Sequence, residues 1–125
     1  MKNKRDMKKI LVVDDDPDML RVIEITLKNN GYAVTTAIDG ELALHKVTLA
    51  IPDLIVADLN MPNLSGWRMS QKLKEDERFK NIPIIQLSGL LDKDGVPDET
   101  ETGDFHMAKP FDPEKLIEKI AELLE

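Results

Sequence analysis

The chain contains no cysteine, which excludes disulfide staples and thiolate metal sites and is compatible with a reducing compartment. Long apolar runs are also missing: nothing approaches the roughly 18 residues of a membrane span, and no apolar signal core follows the basic start. Positive charge is in deficit, with 17 Lys and Arg against 24 Asp and Glu and a formal net charge of -7. That balance argues against direct binding to nucleic acid or to an anionic membrane. Lys2, Lys4, Arg5, Lys8 and Lys9 are too few to overturn it. Residues 1–8 are expected as a solvated tail and residues 9–125 as one domain, since 125 residues can bury a core without staples. The expectation is a soluble cytoplasmic protein.

What is present is a set of five short apolar runs, residues 10–13, 33–37, 54–57, 82–87 and 105–108. The first, third and fourth lack clean alternation, as strands covered on both faces do, and most gaps between runs are helix-sized. In the first gap Asp16 stands at an N-cap position with Pro17 behind it, Leu20, Ile23 and Leu27 share one stripe, and Gly31 marks the stop. In residues 113–124, Leu116, Ile117, Ile120, Leu123 and Leu124 form an apolar face. Residues 41–49 and 67–74 are further helices. The pattern predicts an α/β domain with a five-stranded parallel sheet, doubly wound in the flavodoxin-like order 2-1-3-4-5.

Ligands of such sheets bind outside the carboxyl ends of the strands, where strand order reverses. The residues at those ends are Asp14 and Asp15, Asp58, Ser88 and Lys109, and the order 2-1-3-4-5 brings the first three together. Three consecutive carboxylates, Asp14, Asp15 and Asp16, directly follow "ILVV". At about 4 Å like charges repel by roughly 4 kcal/mol at an effective dielectric near 20. Two of them are therefore read as facing a cation shared with Asp58, while Asp16 caps the helix. A calcium loop counted from Asp14 fails, because Met19 and Ile25 stand where Gly and Glu are required. Carboxylates without His or Cys suit magnesium or manganese.

"LVVDDDP", "IVADLNMPNLSGW", "IIQLSG" and "MAKPF", in this order, resemble the receiver domain of two-component response regulators, the CheY-like superfamily. The resemblance runs from Lys9 to about Leu124. It implies that Asp58 is the phosphoacceptor, fed by a phosphohistidine of a sensor histidine kinase or phosphotransfer protein. It further implies that Asp15, Asp58 and the backbone carbonyl of Asn60 hold magnesium, with Asp14 acting through water or as a further ligand. Ser88 and Lys109 would contact phosphoryl oxygens, and Gly89 would leave the group room. The implied protein is a regulatory switch and not an enzyme beyond its own phosphorylation and dephosphorylation. Its downstream target is unspecified, and it would work alone, relay phosphate or form part of a longer regulator. The chemistry suits the residue types, because phosphoryl transfer needs positioning and charge neutralisation around a carboxylate nucleophile.

Two rivals stand beside this reading. A haloacid dehalogenase-type phosphatase would place D-x-D-x-T after the first strand, but Asp18 occupies the Thr position. A receiver-like binding module without phosphorylation is opposed by the complete set of site residues. Gly66 is read as a helix entry or a close approach, Trp67 as core and His45 as surface. His106 stands three residues before Lys109, where the family carries an aromatic switch residue, and Phe105 is one place early. Residues 90–104 carry Gly95, Pro97, Gly103 and a dense run of carboxylates. The helix the family places there, its fourth, is expected to be degenerate or missing.

Overall fold

The computed structural model describes residues 7–59, 61, 65–88, 105–108 and 111–125. It contains strands β1 (Lys9–Val13), β2 (Ala33–Ala37), β3 (Leu54–Asp58), β4 (Ile84–Ser88) and β5 (Phe105–Ala108). Helices α1 (Pro17–Asn29), α2 (Gly40–Leu49), α3 (Gly66–Lys74) and α4 (Pro113–Leu124) complete the described elements. The five strands form one parallel sheet in the order β2-β1-β3-β4-β5, as the sequence pattern predicts. The anticipated degenerate helix of residues 90–104 lies outside the described residues, as do the first six residues of the anticipated tail. Among the described residues no helix is long and apolar enough to cross a membrane.

Alternation along the central strands divides the core in two. Leu11, Val13, Ile55, Ala57 and Ile84 face α2 and α3, where Ala43, Val47, Met69 and Leu73 meet them. Ile10, Val12, Leu54, Val56, Ile85 and Leu87 face the other way, onto Leu20, Ile23 and Leu27 of α1 and Leu116 and Ile120 of α4. Every residue of β3 is buried, which is why its sequence shows no alternation. Edge strand β2 is only partly covered and accordingly carries Thr35 and Thr36.

The helix starts follow local capping chemistry. Asp16 accepts from the N–H groups of Asp18 and Met19 at 2.9 and 3.4 Å, with Pro17 opening α1 where a missing N–H costs nothing. At the far end Gly31 takes φ +89°, a conformation that favours glycine. Asp39 caps α2 through the Leu42 N–H at 2.8 Å, so the helix begins at Gly40, one residue before the anticipated start. Ser65 does the same for α3 through the Arg68 N–H at 3.2 Å, drawing Gly66 into the first turn.

Register fixes which residues arrive together at the carboxyl edge. Val13 pairs with both Ala37 and Ala57, Asp58 with Leu87, and Ser88 with Ala108. The reversal of strand order falls between β1 and β3, so Asp14 and Asp58 leave the sheet side by side.

Candidate functional site

Asp14 and Asp58 are buried, at 1% and 7% relative exposure, while Asp15 is exposed. The burial of Asp14 follows from its place one residue past β1, where its N–H donates to the Ala37 carbonyl at 3.1 Å. Its Oδ1 accepts from the Asp16 N–H at 2.9 Å, which ties the turn that swings Asp15 over the sheet edge. Asp58 closes β3, and the next N–H, from Leu59, donates to Leu87 of β4 at 2.8 Å. One oxygen from each of Asp14, Asp15 and Asp58 lies within 4.8 Å of the other two.

Three anions at that separation repel by about 3.5 kcal/mol per pair at an effective dielectric near 20, less where solvent reaches Asp15. The donor set is entirely carboxylate oxygen, from two elements held by the sheet. That chemistry fits a hard divalent cation of magnesium type that retains several waters.

The remaining anticipated site residues divide into two groups. Ser88 ends β4 opposite Ala108, at the same edge of the sheet. Asn60, Gly89 and Lys109 fall outside the described residues.

Gly66 is closer to the site than its sequence suggests. A Cβ built on it would stand 2.1 Å from the Asp58 carbonyl oxygen, 2.9 Å from the carbonyl carbon and 3.1 Å from the Leu59 Cα. Its N–H donates to the Leu59 carbonyl at 3.1 Å. Both readings of this glycine, helix entry and close approach, hold together, and the backbone around Asp58 rests on the first turn of α3.

Sequence reasoning missed a polar cluster beneath the same edge. Gln86, in the middle of β4 and 1% exposed, donates through Nε2 to Ser70 Oγ at 2.7 Å and to the Gly66 carbonyl at 3.3 Å. Across the strand pair Gln86 faces His106, whose imidazole is pulled below its ordinary pKa by burial. The only available signal was a glutamine inside the apolar run "IIQLS". Phe105 packs on the opposite face, against the α1 and α4 cluster, with Lys119 Nζ 4.1 Å from its ring centroid. Of the two aromatic candidates before Lys109, His106 therefore lies on the α3 side of the sheet. Trp67, expected in the core, is half-buried with the Arg68 guanidinium 5.8 Å from its ring centroid, because Gly66, Met69, Ser70 and Leu73 form the buried stripe of α3. His45 is exposed on α2, as expected.

The chain as a whole is similar to known proteins. The chain is 34% identical to the DNA-binding dual master transcriptional regulator RpaA of Synechocystis sp. over 94% of its own length and 49% of RpaA. It is 36% identical to Protein PilG of Pseudomonas aeruginosa, covering 94% of this chain and 87% of PilG. The chain spans about half the length of the transcriptional regulators it matches. Among solved structures, response regulator TrrA of Thermotoga maritima, crystallised in complex with magnesium and BeF, superposes with a TM-score of 0.85. That match has 32% identity and covers 94% of this chain and all of TrrA, 100%. The model of the response regulator receiver domain matches residues 10–121, which takes in β2 to β5, α1 to α3, all but the ends of β1 and α4, and all three clustered aspartates. With nine-tenths of its length matched, the chain belongs to the response regulator receiver domain family.

Proposed function

We propose that the chain is a phosphorylation-dependent switch of a two-component system, in which Asp58 accepts a phosphoryl group from a phosphohistidine on a sensor kinase or phosphotransfer protein. The observation that carries this is a buried carboxylate ending a central strand at the point of strand reversal, grouped with two further carboxylates from β1. An Asp58 carboxylate oxygen attacks phosphorus as the P–N bond to the donor imidazole breaks, and the imidazole leaves with the bonding pair and takes up a proton. The Asp58 carbonyl and the Leu59 N–H are held by α3 and β4, so the nucleophile meets its donor in a fixed position.

Asp14, Asp15, Asp58 and the Asn60 carbonyl are the residues that would hold magnesium, or manganese in its place. When bound, the ion supplies positive charge to the phosphoryl oxygens. Ser88 and Lys109 are assigned to two of those oxygens, Lys109 because a point charge on a flexible stem follows a group that comes and goes. Residues 9–125 form the receiver, which catalyses no reaction beyond its own phosphorylation and dephosphorylation. Its net charge of -7 opposes direct contact with nucleic acid. DNA binding, named for RpaA, belongs to a protein of which this chain spans 49%.

Stoichiometry separates the switch from an aspartate-dependent phosphatase. The chain is expected to take up one phosphoryl group and to release no product from phosphomonoesters beyond that single equivalent. Many turnovers per chain would replace the switch with an enzyme.

The metal assignment has its own measurement. Magnesium is expected to raise the melting temperature, since binding to the folded state at about 100 times Kd adds about 2.7 kcal/mol. Asp15→Ala, which removes the exposed member of the cluster, should blunt that response without lowering metal-free stability. A parent melting curve unmoved by millimolar magnesium would remove the metal from the site.

A further inference from the structure

Three buried side-chain polar atoms have no hydrogen-bond partner among the described residues: Trp67 Nε1, Gln86 Oε1 and His106 Nδ1. Leaving such an atom unsatisfied costs about 1–3 kcal/mol, so three in one region call for an explanation. Gln86 admits a complete accounting. The Gly66 carbonyl can only accept, so the amide group turned toward it must be the NH2, and that group's two protons go to Gly66 and Ser70. Oε1 then has to accept from somewhere else.

The residue directly opposite Gln86 in the β4–β5 register is His106. Neighbouring strands run about 4.8 Å apart, and residues paired across them project to the same face. Burial holds the imidazole below its ordinary pKa, so near neutral pH the ring is uncharged, with one nitrogen donating and the other accepting. Trp67 Nε1 is also a donor, but it sits at the start of α3 and not in register with Gln86. Oε1 and Nδ1 are not hydrogen-bonded to each other in the structure. The terminal torsion of His is soft, so turning the ring toward Oε1 takes little energy and leaves the Gln86 bonds to Gly66 and Ser70 in place.

We propose that Gln86 is a positioning residue for His106, accepting a hydrogen bond from Nδ1–H through Oε1 and thereby fixing the ring in the Nδ1–H tautomer. Nε2 is then an acceptor. Any group that packs against the imidazole from the side away from Gln86 must donate to it, a chemical requirement that a Phe or Tyr at this position would not impose. The contact also links β5 through Gln86 to the Gly66 carbonyl and Ser70 of α3. None of this depends on the chemistry assigned to Asp58.

The test is the long-range proton–nitrogen NMR spectrum of the whole chain near neutral pH, with the histidines nitrogen-labelled. Exposed His45 serves as the internal reference. In the parent, His106 is expected to carry its proton on Nδ1, and Gln86→Met to move it mainly to Nε2. Met matches Gln in shape and removes the amide, so the fold should tolerate it, and Gln86→Leu is the second choice. An Nε2–H tautomer in the parent overturns the pairing whatever the variants do. An Nδ1–H tautomer that survives Gln86→Met overturns it as well, by showing that another acceptor holds the proton.

Discussion

Asp58→Asn is expected to take up no phosphoryl group from acetyl phosphate and magnesium under conditions where the parent takes up one, read by intact-protein mass spectrometry. The substitution keeps the shape of the side chain and its place at the end of β3. It removes the negatively charged oxygen that must attack phosphorus, and amide oxygen is a poor nucleophile. Removing one of three carboxylates within 4.8 Å of one another also relieves like-charge repulsion. The variant should therefore melt no lower than the parent without metal and respond less to magnesium. This second measurement separates loss of the nucleophile from loss of the fold. A normally phosphorylated Asn variant would move the acceptor elsewhere, and Asp14 and Asp15 would be the first places to look.

The sequence was informative wherever one local rule decided the outcome. Asp16 and Pro17 announced the start of α1 because capping needs only neighbours in the chain. The buried runs "ILVV" and "LIVA" announced central strands because both faces are covered. The fourth run shows the limit. Residues 82–87 read as a strand, yet β4 is Ile84–Ser88. Pro83 has no N–H to give a ladder, and the Ile82 N–H donates to the Phe79 carbonyl at 3.0 Å, closing the turn after α3. Ile82 is in the core without being in the strand. The aspartate cluster was legible only through strand order, since Asp14 and Asp58 are 44 residues apart in the chain. Gln86 stood out in its apolar run, but its partners were not legible. Nothing in an apolar run says that a buried amide will find Ser70, 16 residues upstream, as its partner.

The second large effect is expected at a residue that carries no chemistry. Gly66→Ala places a methyl carbon 2.1 Å from the Asp58 carbonyl oxygen, a contact no side-chain rotation can relieve because both atoms belong to backbone or to Cβ. Either α3 must retreat or the end of β3 must bend. Retreat strains the Gly66 N–H bond to Leu59 at 3.1 Å and the Gln86 bond to the Gly66 carbonyl at 3.3 Å, while bending moves the nucleophile itself. Overpacking of this kind costs about 1–3 kcal/mol, which for a domain of this size lowers the melting temperature by roughly 4–12 °C. Phosphorylation by acetyl phosphate should slow in the same variant, because positioning is most of what the site contributes. Gly31→Ala is the control. Gly31 has φ +89° and no atom within 4 Å of an added Cβ, so its cost is backbone strain alone, about 1–2 kcal/mol, far from Asp58. That variant should lose stability while keeping the parent's phosphorylation rate. If Gly66→Ala melted and reacted as the parent does, α3 would be free to slide on the sheet, and the tight seating of the Asp58 carbonyl against it would have no part in the site.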